Sequence, residues 1–193
     1  YQKVAANVIA MDGTNWFSSF TIDKGSKEGI KKGMNVIAGS GLVGIVTDVG
    51  PNFAKVRSII DDSSNVSSMV LTTKDNFNVG GSLKSMNQDK VLPFTELRDE
   101  DDKVKVGDPV VTSYVSDQYQ EGILIGYIAS IEKNANNLTK SGTITPVVDF
   151  QHLREVLVIT TLKDTGEKEL SSQKASDTQA ETQDNTETQK SQE

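Results

Sequence analysis

Apolar and polar residues alternate along this chain with a period of two, and helical periodicity is missing over any useful window. The segments VAANVIAM (4–11), FSSFTID (17–23), MNVIAG (34–39), LVGIVTDV (42–49), AKVRSII (54–60) and NVSSMVLT (65–72) are short, rich in Val, Ile, Thr and aromatics, and separated by Gly, Asn, Asp and Pro. They predict about six strands. After a turn at residues 74–76, FNVGGSLKSM (77–86), KVLPF (90–94), DPVVTS (108–113), GILIGYIASIEK (122–133), GTITPVV (142–148) and REVLVITT (154–161) predict about six more. Residues 26–31 and 149–153 are the only stretches predicted as helical turns.

The two sets are copies of one pattern. KGMNVIAGSGLVGIVTDV (32–49) matches KVGDPVVTS (105–113) followed, after a spacer, by GILIGYIASI (122–131). RSIIDDSSNVSSMVL (57–71) likewise matches TPVVDFQHLREVLV (145–158). Such a repeat implies two similar structural units whose signature residues serve the fold. The expected fold is all-β: two small β-barrels of about six strands each, residues 1–74 and 75–162, followed by a tail at 163–193. A terminal strand crossing between the barrels would leave the same trace in the sequence. Gly44 and Gly126 occupy matching places inside apolar strands, where glycine weakens a strand unless the backbone bends or another chain approaches, so both are expected at bulges or sharp barrel bends.

Composition changes the picture at the C-terminus. Of 193 residues 35% are hydrophobic, but residues 163–193 hold almost none and cannot offset the entropy of ordering, which predicts disorder there. This tail carries 4 Lys and 8 Asp or Glu, hence −4 of the formal −7, leaving −3 for residues 1–162. That near balance lacks the dense basic footprint of a nucleic-acid binder. Cysteine is absent, which excludes a disulfide framework and a cysteine metal cage. No apolar run is long enough to span a membrane, and the first residue, Tyr1, predicts a fragment.

The candidates for chemistry weaken when read in context. Gly39-Ser40-Gly41-Leu42-Val43-Gly44 spells the dinucleotide-binding pattern, with Asp61 and Asp62 at about the offset of a ribose-binding acid. The next residues, however, read as a strand ending at Gly50-Pro51 and not as the helix whose amides would meet a pyrophosphate, so these are hairpin glycines. A two-barrel hydrolase would need a triad on His152, the single histidine. His152 lies in a polar turn, and no acid-base dyad is expected on it. Asp164-Thr165-Gly166 spells the aspartic-protease tripeptide without the twin that this chemistry requires. Residues 98–103 (RDEDDK) read as a solvated loop and lack the Gly and distal Glu of a calcium site. Asp61, Asp62 and Asp149 read as Asx turns or helix caps. A carbohydrate-binding module would want exposed aromatics on one sheet face, and Trp16 beside Phe17 is the one candidate pair, though Trp16 reads rather as a core residue at a hairpin end. No cofactor or metal is expected.

The repeated motifs also identify a family. IDKGSKEGIKKGMNVI (22–37), with Gly25, Gly29 and Gly33, followed by GLVGIV (41–46), with Gly41 and Gly44, resembles the extracytoplasmic region of the MreC family of bacterial rod-shape-determining proteins. The second copy agrees, with Gly107, Asp108, Thr112 and Ser113 in VGDPVVTS (106–113) and Gly122 and Gly126 in GILIGYI (122–128). The resemblance covers residues 4–159 and departs from the family where Tyr114 replaces Gly and Tyr119-Gln120 replaces Phe-Pro. It implies paired β-barrels preceded by a cytoplasmic start, one membrane helix and a coiled coil, all before Tyr1. It further implies a self-associating, non-enzymatic scaffold outside the membrane that positions class B penicillin-binding transpeptidases with MreD and other elongation proteins. Tyr114 and Tyr119, in a loop that only the second copy has, have two readings: cover for a barrel mouth, or anchors for a protein partner. The groove between the barrels is the alternative place for docking.

Overall fold

The computed structural model describes residues 2–11, 17–136 and 138–163. It contains twelve strands: β1 (Lys3–Met11), β2 (Ser19–Ile22), β3 (Asn35–Ala38), β4 (Gly41–Val49), β5 (Ala54–Ser58), β6 (Asn65–Val70), β7 (Asn76–Gly80), β8 (Leu92–Leu97), β9 (Pro109–Thr112), β10 (Leu124–Lys133), β11 (Lys140–Pro146) and β12 (Glu155–Ile159). A short helix, α1 (Leu83–Asp89), and 3-10 turns at Ser26–Glu28 and Phe150–His152 complete the described elements. The tail expected at 163–193 lies outside the described residues except for Lys163.

The strands close into two rings. In ring 1 the order is β4-β3-β12-β1-β2-β5, with β5 pairing back onto β4; in ring 2 it is β10-β9-β6-β7-β8-β11, with β11 pairing back onto β10. Closure leaves neither ring an open edge strand among the described residues. A parallel step between β4 and β10, with Leu124 opposite Gly41, joins the rings. Taken in order, the two rings superimpose the repeat: β3 matches β9, β4 matches β10, and β5 matches β11. By the same correspondence β12 occupies in ring 1 the place that β6 occupies in ring 2. Each copy therefore gives its sixth strand to the other ring. The division at residue 74 separates the sequence copies but not the rings, because β6 completes the second ring and β12 the first. Buried apolar crossovers carry the exchange, Ile59 and Ile60 after β5, and Val148 and Phe150 after β11.

Alternation fills each ring. Ile22, Val36, Val56 and Val158 point into ring 1 and are fully buried, while ring 2 encloses Val70, Phe94, Val110, Ile128 and Ile144. Phe77 and Phe94 meet edge to face with centroids 5.1 Å apart at 61°. Each such side chain contributes about 1.5–3 kcal/mol through its burial.

Both repeat glycines sit beside bulges. Ile37 pairs with Leu42 and Val36 with Gly44, leaving Val43 unpaired; Val111 pairs with Leu124 and Val110 with Gly126, leaving Ile125 unpaired. The carbonyl of each extra residue accepts from the chain just beyond the neighbouring strand, Val43 from Ile59 N–H at 2.9 Å and Ile125 from Val147 N–H at 3.1 Å. The copies therefore agree in their irregularities as well as in their strands.

One element departs from expectation. Residues 77–86 do not form a single strand: β7 stops at Gly80 and α1 begins at Leu83. Ser82 is the cause, since its hydroxyl caps the helix by accepting from Ser85 N–H at 3.2 Å, and Asp62 accepts from Leu83 N–H at 2.9 Å. Asp62 is thus a helix cap.

Candidate functional site

One catalytic candidate gains a partner that the sequence did not predict. His152 Nδ1 and Asp149 Oδ2 are 2.7 Å apart, so a His–Asp pair exists where none was expected, but it spans a surface turn with side chains 79% and 65% exposed. The hydrogen bond to His152 holds the Asp149 carboxyl below its ordinary range. No serine hydroxyl bonds His152 among the described residues. Asp149 also accepts from Gln151 N–H at 3.0 Å, as Asp61 accepts from Ser63 N–H at 2.9 Å: equivalent Asx turns in the two copies. Among the described residues no group of three or more His, Cys, Asp or Glu could hold a metal ion. Trp16 and the tripeptide at 164–166 lie outside the described residues.

The acidic loop is more structural than its composition suggested. Asp99 is 7% exposed and not solvated: its carboxylate accepts from Lys103 N–H at 2.8 Å and Val104 N–H at 3.1 Å and holds the Lys140 ammonium at 2.7 Å. Asp102 closes over the same ammonium at 2.5 Å. Burial alone would raise the Asp99 carboxyl, but Lys140 and the two amides outweigh it, so its pKa falls below the ordinary value. Burial would likewise lower Lys140, yet Asp102 and Asp99 hold it above 10.5. The clip ties the 98–104 loop to β11. Removing one partner strands the other, so Lys140→Met should lower stability at pH 7 by about 3 kcal/mol. Because the carboxyls are depressed and the ammonium raised, the contribution persists across neutral pH. It fades as pH falls through the depressed carboxylate pKa values, below about 4, or rises through the raised Lys140 value. Denaturant titrations of both proteins from pH 3 to 8 check this: the gap between them should narrow at the acidic end.

The loop after β9 is the main asymmetry between the copies. Thr112 and Ser113 start it: Thr112 Oγ1 donates to Gln120 O at 2.5 Å and accepts from Ile123 N–H at 2.8 Å, and Ser113 Oγ bonds Asn76 Oδ1. The loop then folds onto ring 1. Asn35 of β3 donates through Nδ2 to Gln118 O at 3.0 Å and accepts from Gln120 N–H at 2.7 Å, while Gln120 Nε2 donates to Thr161 O at 3.0 Å. Tyr119 is 2% exposed, and burial pushes its phenol up to about 12 against the pull of nearby Arg57. Tyr119 is therefore a packing residue and not a surface anchor. Tyr114, 56% exposed, and its neighbour Val115, 58% exposed, form the crest of the loop. The sequence could not separate the two tyrosines, because what distinguishes them is Asn35, 84 positions from Tyr119 along the chain.

The remaining motif residues shape backbone. Gly33 and Gly107 hold φ of +86° and +94° and donate to Val46 O and Ile128 O at 2.9 and 2.7 Å, another pair of equivalents. Gly25 N–H donates to Glu28 Oε2 at 2.8 Å in the first 3-10 turn, which Gly29 ends. Asp108 accepts from Lys105 N–H at 2.9 Å, Gly41 begins β4, and Gly122 precedes β10. A cavity of about 250 Å³ is bordered by Met86 of α1 and by the crossover residues Ile60, Val148 and Phe150.

Comparison with known proteins agrees with this geometry. The family model "Rod shape-determining protein MreC, barrel core" matches residues 8–160. The cell shape-determining protein MreC of Listeria monocytogenes is 34% identical over 161 residues, which is 82% of this chain and 54% of that protein. The chain thus spans about half the length of the curated relatives that it matches. A solved structure of the Listeria MreC superimposes with a TM-score of 0.74 at 33% identity, covering 86% of this chain and 79% of the other. MreC from Helicobacter pylori, solved in complex with the penicillin-binding protein PBP2, shares the fold at a TM-score of 0.60 and 12% identity over 83% of this chain and all of the other. With the family model covering both rings and the exchanged strands, this chain belongs to the MreC family of cell shape-determining proteins.

Proposed function

We propose that this chain is the extracytoplasmic region of a single-pass membrane protein that acts as a non-enzymatic scaffold of cell elongation. In this reading it holds a class B penicillin-binding transpeptidase, MreD and other elongation proteins in place for lateral wall synthesis, associates with copies of itself, and uses no cofactor. Family membership over residues 8–160 carries the reading, and the Helicobacter pylori relative solved with PBP2 supports it. The fold is consistent with such work: two closed barrels leave loops and outer walls as surfaces available to partners. No helix among the described residues is long and apolar enough to cross a membrane, and in this reading the anchor belongs to other parts of the full-length protein.

The test is affinity capture of the full-length protein from membranes. A class B transpeptidase and MreD should co-purify, and His152→Ala should leave their recovery unchanged. Capture that returns neither protein, or that depends on His152, would overturn the reading.

A further inference from the structure

The connection from β2 to β3, residues 23–34, and the one from β8 to β9, residues 98–108, occupy the same place in the two rings. Their charges are handled differently. In ring 2, Asp99, Asp101 and Asp102 are met by lysines: Lys103 pairs with Asp101 at 2.6 Å, Lys133 with Asp102 at 3.1 Å, and Lys140 with Asp99 and Asp102 at 2.7 and 2.5 Å. In ring 1 the sign is reversed and the charges are unanswered. Lys27, Lys31 and Lys32 are exposed and make no ion pair among the described residues. The acids around them are otherwise engaged: Glu28 accepts from Gly25 N–H at 2.8 Å, Asp23 accepts from Asn7 N–H and from Asn7 Nδ2 at 2.8 Å each, and Asp48 of β4 stands opposite Lys55 of β5. Glu155 stands opposite Asn7, at the Asp23 end of the connection, where Lys24 already lies. The lysines are displayed on a fixed backbone. Ser26 N–H donates to Gly50 O and Gly33 N–H to Val46 O, each at 2.9 Å, and Ile30 between them is 1% exposed.

We infer that this lysine surface of ring 1 is the docking surface for the chain's own acidic C-terminal segment, residues 164–193, which shields it from other anions. Two observations point to this occupant. The chain leaves ring 1 against the surface: a Cβ at Gly33 would meet Leu162 Cδ2 at 3.5 Å, so Leu162 lies beside the residue that follows Lys32. Charge then complements place, because residues 164–193 hold eight Asp or Glu against three Lys. Asp164, Glu167 and Glu169 follow Leu162 within seven residues, a reach of up to about 25 Å. Exposed ion pairs are individually weak, but a tether of this kind holds the acids at an effective concentration of about millimolar, so several weak pairs act together. Salt therefore regulates the contact, and an anionic partner has to compete with the segment for the three lysines.

Paramagnetic broadening in the 193-residue chain tests this. Because the sequence has no cysteine, a nitroxide attached through Ser176→Cys reports on the segment alone. Amide signals of residues 26–33 should be broadened about threefold more strongly in about 10 mM salt than in about 1 M salt, as the Debye length falls from about 30 Å to about 3 Å. Residues 98–103 are the internal control and should show no such change. Replacing Lys27, Lys31 and Lys32 together by Glu should abolish the salt-dependent broadening while leaving the melting temperature in place, and replacing them by Gln should reduce it. Broadening that neither salt nor the lysine replacements alter, or that is stronger at another surface, would overturn the inference. So would broadening seen only between a labelled copy and a separate isotope-enriched copy, because the occupant is then a second chain. Phosphatidylglycerol vesicles that bind the unmodified chain through the three lysines, as tightly as a chain whose segment acids are changed to Asn and Gln, would overturn it too, since the surface is then open to lipid.

Discussion

A chain ended after residue 154 is expected to lose the cooperative fold of ring 1, whereas a chain ended after residue 163 keeps it. The difference is β12, which lies between β1 and β3 and bonds to both. Without it the ring opens, two strands expose unpaired backbone, and the buried sites of Val156, Val158 and Ile159 are vacated. Loss of three such side chains alone is worth about 4.5–9 kcal/mol, comparable with the whole stability of a domain of this size. The exchange of β6 and β12 extends the prediction. Fragments 1–74 and 75–162 each hold five strands of one ring and one of the other, so each alone should give the circular dichroism of an unfolded chain. Mixed in equal amounts they should recover strand signal and a melting transition. Independent folding of either fragment would show that the exchanged strands are dispensable.

Much of this architecture was legible in the sequence because it is written in a period of two. The strands, the repeat and the helical turns, predicted at 26–31 and 149–153 and found at Ser26–Glu28 and Phe150–His152, follow from alternation and from Gly, Asn and Asp at the turns. The features that were not legible depend on residues far apart. Strand exchange leaves no trace, since β6 and β12 carry the same pattern whichever ring they join. Helix α1 was hidden inside a strand-like stretch because its signal is one cap, Ser82, over only seven residues. Asp99 looked like one member of an acidic run, and only its meeting with Lys140, 41 positions on, marks it as buried. The paired tyrosines failed for the same reason: the loop's length betrayed a contact, but the contact of Tyr119 is within the chain.

Gly44→Ala and Gly126→Ala are expected to destabilise the protein by similar amounts, more than about 3 kcal/mol each, although alanine is the smallest change available. A Cβ at Gly44 would lie 2.1 Å from the carbonyl oxygen of Arg57, and one at Gly126 would lie 2.1 Å from that of Thr145. Both obstacles are backbone, so no rotamer change relieves them. The bonds that anchor the adjacent bulges, Ile59 to Val43 and Val147 to Ile125, also resist the strand shift that would make room. Gly80→Ala is the control, because a Cβ there meets nothing closer than Pro93 at 3.9 Å; it should change stability by less than about 0.5 kcal/mol. Chemical denaturation of the three variants checks the order. Equal, small losses at all three positions would mean that the ring walls shift freely, and the tight β4–β5 and β10–β11 approaches would not be what holds the rings closed.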